Sequence, residues 1–158
     1  MVNRFLLALD PSPHSRQAAE YLAAIAGQLK GSQVVLLSVL PTWPSGVNSP
    51  VTDEPVVLTG EVHGGEDAGE RLGQAQAFMA EIVALFQRRG LEADRIQRLI
   101  VPQDKGVAED IVAAAEKHEC DTVVVGRRDL SAVQSIFLGS VSSELVKNLE
   151  GRTVWVVE

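Results

Sequence analysis

Two short stretches of the sequence carry residue types that could hold an anion. Residues 10–14 (DPSPH) follow a run of apolar residues, and residues 139–142 (GSVS) open a segment with helical spacing. Glycines and hydroxyls before a helix leave backbone N–H groups able to meet a negative charge, which the helix dipole also favours. These stretches are typical of a phosphate site, although Gly139 and Ser140 could equally serve only as a helix cap.

The other reactive side chains form no recognisable catalytic set. His14, His63 and His118 lack the spacing of metal ligands, and no lysine follows a glycine-rich loop as it does in a P-loop. Cys120 comes just before a valine-rich run and is interpreted as a small buried hydrophobic residue. His14, beside the candidate phosphate site, is the one acid–base candidate, but a solvated helix position is the favoured interpretation. These residues favour a binding protein over an enzyme.

Short apolar runs alternate with segments of helical spacing along the chain. This alternation predicts a parallel sheet covered by helices. The predicted strands are residues 5–9, 34–40, 96–101, 122–125 and 153–157. The first predicted helix begins at Ser12 as N-cap and ends at Gly31, and the second runs from near Asp67 to Gly90. The third is capped by Asp104 and ends near His118. The fourth ends at Gly151. Ligands bind such a sheet outside the carboxyl ends of its strands, where both anion-binding stretches fall.

Length and charge limit the classes of partner. The 158 residues, 46% of them hydrophobic, suit one compact domain spanning residues 1–158. Lys and Arg number 14 against 21 Asp and Glu, and the resulting net charge of −7 disfavours nucleic acid, whose binding needs basic side chains. One cysteine, and no apolar run near the roughly 20 residues of a membrane span, predict a cytoplasmic protein without membrane contact.

Residues 41–66 interrupt the alternation of strands and helices. They hold four of the seven prolines and four carboxylates, with no Lys or Arg. A stretch this long without regular structure is unusual inside a compact domain. Two interpretations stay open: a solvated excursion, and a segment that docks a protein partner through Trp43 and residues 56–58 (VVL).

The spacing around the second anion-binding stretch resembles that of the universal stress protein family. Nucleotide-binding members carry Gly, two residues, Gly, nine residues and Gly-Ser/Thr; here Gly126 and Gly139 occupy the first and third glycine positions, and Asp129 replaces the second. Residues 8–12 (ALDPS) are similar to the family's first strand and acidic turn, and residues 36–39 (LLSV) to its second strand. The resemblance covers the whole chain. It implies an open five-stranded parallel sheet in the order 3-2-1-4-5 with helices on both faces, the Rossmann-like fold of adenine nucleotide alpha hydrolases.

The resemblance also implies a ligand, ATP or another adenine nucleotide, with Mg²⁺ as an optional companion. Ala8, Leu9 and Asp10 would line the adenosine side, with Asp10 near the ribose or a phosphate-bound metal, and Val39 would meet the adenine. The other implied contacts, to ribose and phosphates, are Val125, Gly126, Arg127, Arg128, Asp129, Gly139, Ser140, Val141 and Ser142.

Asp129 leaves the function open. A carboxylate ~5 Å from a phosphate costs on the order of 1–3 kcal/mol at an effective dielectric near 20. Arg127, Arg128 or a bridging metal ion could offset that cost. Three hypotheses follow: a regulatory protein that binds an adenine nucleotide, a dimeric scaffold that has lost the nucleotide site, and a slow ATP hydrolase or nucleotidyl-transfer enzyme.

The last predicted strand carries a prediction about assembly. Thr153–Val157 (TVWVV) is apolar and lacks lysine and proline, and an uncovered edge of this kind is prone to aggregation. Pairing with its twin across a two-fold axis would cover it, and the family resemblance implies the same contact. We predict a homodimer with Trp155 in or near the interface.

Overall fold

The computed structural model describes residues 3–52, 66–127 and 140–158, in which strands and helices alternate along the chain. The strands are β1 (Arg4–Ala8), β2 (Gln33–Leu40), β3 (Ile96–Pro102), β4 (Thr122–Gly126) and β5 (Thr153–Val157). The helices are α1 (Pro13–Ala26), α2 (Glu66–Arg88), α3 (Val107–Lys117) and α4 (Ser140–Asn148), and a short 3₁₀ turn (Ala93–Arg95) leads into β3. In this described part, no helix combines the length and the apolar composition needed to cross a membrane.

The strands form one parallel sheet in the order β3-β2-β1-β4-β5, which confirms the predicted order. β1 lies at the centre, where Leu6 pairs with Val35 of β2 and with Val123 of β4. Leu6 and Leu7 point to opposite faces, and both are fully buried, as expected of a central parallel strand that is apolar on both sides. β3 and β5 form the two edges of the sheet.

Helices cover both faces of the sheet, as predicted. α1 and α2 pack on the face that carries Leu7 and Leu36, and α3 and α4 pack on the face that carries Leu6 and Val35. The largest buried helical side chains are Leu22, Leu72, Met79, Ile82 and Phe86 on the first face, and Ile111 and Leu145 on the second. The two cores fix the helix starts at the carboxyl ends of the strands.

The first helix ends one turn earlier than predicted. α1 stops at Ala26 with Gly27 as its C-cap, whereas the predicted end, Gly31, has a φ of 76° in the turn that leads to β2. A Cβ on Gly27 would overlap the backbone carbonyl of Arg89, which follows α2. The chain therefore needs glycine at position 27 to let the ends of the two helices meet.

The third helix begins differently from the prediction. Asp104 does not cap it; the N-cap position is Gly106. The carboxylate of Asp110, in the first turn of α3, instead accepts hydrogen bonds from the backbone N–H groups of Asp104 at 2.9 Å and Lys105 at 3.1 Å. The carboxylate that binds these backbone N–H groups thus belongs to the first turn of the helix, where it also complements the helix dipole.

The first part of the 41–66 segment folds onto the body of the protein. The Trp43 indole N–H donates to the carbonyl of Val47 at 2.9 Å, and both side chains pack against the core on the α1/α2 face. Val51 pairs with Ile100 of β3 in an antiparallel bridge, with both N–H···O distances at 2.9 Å. Trp43 is thus held by its own chain, and residues 56–58, the other apolar part of the docking hypothesis, lie outside the described residues.

Candidate functional site

A cavity of about 500 Å³ opens at the carboxyl ends of β1, β2 and β4. The chain passes from β1 outward to β2 and β3 and then crosses back to β4, so the strand order reverses beside β1. Parallel sheets bind ligands at such a reversal, because the connections leave the two neighbouring strand ends in opposite directions and open a crevice. The starts of α1, α3 and α4 and the first turns of α2 complete the walls.

Most of the residues predicted for the nucleotide site come together in this cavity. Its lining includes Ala8, Leu9, Asp10, Val39, Val125, Gly126, Ser140, Val141 and Ser142. Arg128, Asp129 and Gly139 lie outside the described residues. The guanidinium of Arg127 forms an ion pair with the carboxylate of Glu158, and its backbone N–H donates to Val157 at 2.8 Å, so Arg127 is engaged at the end of β5.

Asp10 is fixed at the cavity wall by two serines. Its Oδ1 accepts hydrogen bonds from the hydroxyls of Ser12 and Ser15, the latter at 2.8 Å. The Ser15 hydroxyl also accepts from the backbone N–H of Asp10 at 3.0 Å, and the Ser12 hydroxyl accepts from the N–H of Ser15 at 3.2 Å. Ser12 is the N-cap of α1 and Pro13 its first residue, as predicted. The start of α1 thus orients the carboxylate that follows β1.

A buried serine that sequence reasoning missed ties two strand ends together below the cavity. Ser38 is 3% exposed, and its hydroxyl donates to the carbonyl of Leu9 at 3.2 Å. This bond links the end of β2 to the residue after β1. The signal in the sequence was a single hydroxyl in an otherwise apolar strand, which is costly to bury without a partner.

Three more lining residues were also missed. Arg71 and Gln74 reach the cavity from α2, and Gln103 reaches it from the turn after β3. The sequence predicted the second helix from its helical spacing and said nothing of its distance from the strand ends. The position of its first turns over the strand ends depends on the packing of α2 against the sheet, which is a tertiary property.

Two of the other reactive side chains lie in different surroundings, and His63 lies outside the described residues. His14 lines the cavity beside Asp10, and Cys120 is buried in the core between the sheet and α3. Burial, the main cause, raises the pKa of the Cys120 thiol to about 11. Across residues 3–52, 66–127 and 140–158, no group of three or more His, Cys, Asp or Glu side chains could hold a metal ion.

The whole chain is similar to known proteins of one family. The universal stress protein family matches residues 1–158. A universal stress protein of Thermus aquaticus is 30% identical over 152 residues, which are 92% of this chain and 92% of that protein. The solved structure of a universal stress protein in complex with cAMP is 18% identical, with a TM-score of 0.65, and covers 99% of this chain and 96% of its own.

A second solved structure shares the same fold. The universal stress protein from Archaeoglobus fulgidus in complex with dAMP is 17% identical, with a TM-score of 0.65, and the match covers 100% of this chain and 98% of that one. The match of the whole chain and the identity to the Thermus aquaticus protein lead to one conclusion: this chain belongs to the universal stress protein family.

Proposed function

We propose that this protein binds an adenine nucleotide in the cavity at the carboxyl ends of β1, β2 and β4 and acts as a regulatory protein without rapid turnover. The observation that carries the proposal is the division of the cavity into two unlike ends. Hydroxyls and helix starts line the end near β4, and apolar side chains line the end near β2. A nucleotide is divided in the same way, into phosphates and a base.

The end near β4 suits phosphate. α4 begins there with Ser140 and Val141, and α1 begins there with Pro13 after its cap Ser12. The first turn of α4 reads SVSS and that of α1 reads PHSR, so neither turn adds a carboxylate that would repel an anion. α3 also reaches the cavity, through Val107 and Ile111, and the two acidic residues of its first turn, Glu109 and Asp110, are not part of the lining. Backbone N–H groups and hydroxyls at such helix starts can hold a phosphate without a basic surface.

The end near β2 suits a base. Val39, Leu40, Pro41 and Ala75 supply apolar surface there. β2 and β4 lie on either side of β1, so their ends are separated by two strand spacings, or about 10 Å. A base over β2 and a phosphate over β4 would place the ribose over β1, beside the oriented carboxylate of Asp10.

Related proteins support the same ligand class. Two universal stress proteins of this fold have been solved in complex with cAMP and with dAMP, which are both adenine nucleotides. For this chain, AMP, ADP and ATP are all candidates, with Mg²⁺ as an optional partner of the phosphates and Asp10.

Calorimetric titration of AMP, ADP and ATP, each with and without Mg²⁺, tests the proposal. We expect micromolar binding to the wild type and weaker binding to Ser142→Ala, which loses a hydroxyl in the cavity lining. Ser143→Ala is the matched control, because Ser143 is the next residue of α4 and lies outside the lining. Binding by Asp129→Gly but by no other form would favour the scaffold hypothesis. Hydrolysis above a protein-free blank, abolished in Asp10→Ala, would favour an enzyme.

We further propose that residues 1–158 form one domain that assembles as a homodimer through β5. β5 is an edge strand, and Trp155 packs its ring 5.5 Å from that of Phe5 and 6.1 Å from that of Tyr21. Tyr21 is 53% exposed, so apolar surface continues from the strand onto α1. A cytoplasmic location is supported by the single, reduced and buried Cys120.

A further inference from the structure

Arg71 stands at the mouth of the cavity. It belongs to the first turns of α2 and lines the cavity, yet its side chain is 47% exposed. A side chain that borders a cavity and also meets the solvent lies at the entrance. Among the lining residues that the structure describes, Arg71 alone carries a permanent positive charge.

The packing of the helices places Arg71 at the end of the cavity where the proposed nucleotide would have its base. α1 packs on β1, β4 and β5, whereas α2 packs on β2 and β3. The base end over β2 is therefore bordered by α2 on one face of the sheet. On the other face it is bordered by α3, which contributes Val107 and Ile111 to the lining. A flat group over the end of β2 would lie between these two walls.

The two walls differ in chemistry. The α3 wall is aliphatic at Val107 and Ile111, and Val39 of β2 packs on the same side of the sheet. The α2 wall combines Arg71 with the buried Ala75, one turn later on the same face of the helix. The methyl group of Ala75 takes up little of the cavity beside Arg71. A base between the walls would thus have aliphatic groups on one side and a guanidinium on the other.

The partner of Arg71 in the structure holds it only weakly. Its Nη2 atom lies 3.4 Å from Oδ2 of Asp67, one turn earlier on α2, and the Asp67 side chain is 72% exposed. Ion pairs this exposed contribute little to stability, because water and salt screen them and because two long side chains must be ordered. The guanidinium can therefore leave Asp67 for a bound base at small cost.

We propose that Arg71 stacks its guanidinium on the face of the bound base and covers the base at the cavity mouth. The inference rests on the proposed nucleotide-binding function. The guanidinium is planar and weakly hydrated, so it stacks well on flat rings, and its charge is attracted to their π-face. Stacking needs no particular hydrogen-bond pattern at the edge of the base. Arg71 therefore holds the base in place without selecting which base is bound.

Three probes separate contacts to the base from contacts to the phosphate. AMP has both groups, adenosine has no phosphate, and ribose 5-phosphate has no base. Calorimetric titration of each probe into the wild type, Arg71→Ala and Arg71→Lys gives the comparison. Arg88→Ala is the matched control, because Arg88 is an exposed arginine of the same helix that lies outside the cavity lining. Alanine favours a helix at least as much as arginine does, so Arg71→Ala is expected to fold.

We expect Arg71→Ala to bind AMP and adenosine about fivefold more weakly than the wild type does, the size of effect that a cation over a ring produces. Its affinity for ribose 5-phosphate should stay that of the wild type. Arg71→Lys keeps the charge but loses the planar group, so its affinity for AMP should stay below that of the wild type. Arg88→Ala should bind all three probes as the wild type does.

Other outcomes would overturn the inference. Losses for AMP and ribose 5-phosphate with unchanged adenosine binding would place Arg71 against the phosphate. Equal losses for all three probes would show that Arg71 maintains the shape of the cavity, and unchanged binding of all three would show that it contacts no ligand. Full AMP affinity in Arg71→Lys would show that charge alone acts. A wild type that binds no nucleotide would remove the proposed function itself, which each of the other results leaves standing.

Discussion

Gly126 lies so close to the start of α1 that a Cβ on it would stand 2.5 Å from the carbonyl oxygen of His14. The same Cβ would lie 3.1 Å from the backbone nitrogen of Ser15. Both are backbone atoms of a helix, which cannot rotate away as a side chain can. The glycine that opens the nucleotide-binding pattern is therefore needed for the packing of β4 against α1, apart from any contact with a ligand.

Gly126→Ala should destabilise the protein by about 1–3 kcal/mol, as overpacking of a close contact does. Chemical denaturation monitored by circular dichroism measures the change. Gly73→Ala is the control, because among the described residues nothing lies within 4 Å of its would-be Cβ. Its position in α2 should make that variant more stable by about 0.5–1 kcal/mol. Equal denaturation midpoints for Gly126→Ala and the wild type would contradict the packing argument.

Cys120 should be inert in the native protein. Burial raises the pKa of its thiol from the ordinary 9.0 to about 11, so the reactive thiolate is scarce near neutral pH. A thiol reagent at about pH 8 should label the folded protein far more slowly than the denatured protein. Because the unfolded thiol ionises near pH 9.0 and the native thiol near pH 11, stability should fall across this interval.

Cys120→Ala isolates that pH dependence from the other groups that titrate in the same interval. The difference in unfolding free energy between the wild type and this variant should shrink as the pH rises from 9.0 to about 11. If the unfolding free energies of the wild type and Cys120→Ala ran parallel across this pH range, or if the native thiol were labelled rapidly, the thiol would not be protected.

For His118, the free energy of unfolding should depend on pH in the opposite sense and decrease as the pH falls. Burial, then the charges of Lys117 and Arg4, lower the pKa of His118 below its ordinary 6.5. As the pH falls below 6.5, the unfolded chain takes up a proton that the native His118 resists, so the native state loses stability. An NMR titration of the His118 ring should have its midpoint below 6.5, and Lys117→Gln should raise that midpoint. A midpoint at or above 6.5 in the wild type would refute the prediction.

The two edge strands should respond differently to a lysine. Val156 of β5 and Val101 of β3 are both half-buried and pack on the same α3/α4 face, which makes them matched positions. We expect the wild type to sediment as a dimer at micromolar concentration, Val156→Lys to shift towards the monomer, and Val101→Lys to remain dimeric. A wild type of monomeric mass would exclude the proposed dimer, and a monomeric Val101→Lys would place the contact elsewhere.

The order of the strands was implied by the family resemblance, whereas local signals predicted the strands and their parallel arrangement. The runs around Leu6, Val35 and Val123 are apolar on both faces and therefore belong inside a parallel sheet, whereas β3, which forms an edge, carries the polar Gln97 and Arg98. Helix ends were harder to predict. α1 ends at Gly27, which packs against the backbone of Arg89, a residue distant in sequence, and no local pattern around either residue contains that contact.

The candidate site was likewise predictable from the sequence only in part. Asp10, Gly126 and Ser140 follow or precede elements that the sequence reveals, so their convergence could be predicted from the topology of a parallel sheet. The ion-pair partners and the cavity contacts of individual side chains could not be predicted. The ion pair of Arg127 with Glu158 and the approach of Gln74 to the cavity both depend on how elements pack in three dimensions.

The bridge between Val51 and Ile100 makes the two edges of the sheet different from each other. It occupies both outward-facing backbone groups of Ile100 in β3, so a further strand could add there only by displacing residue 51. Within residues 3–52, 66–127 and 140–158 no such bridge covers β5, which leaves it the more accessible edge for strand addition. Two copies joined through β5 would leave their β3 edges on the outside, each bridged at Ile100, which disfavours further growth by strand addition.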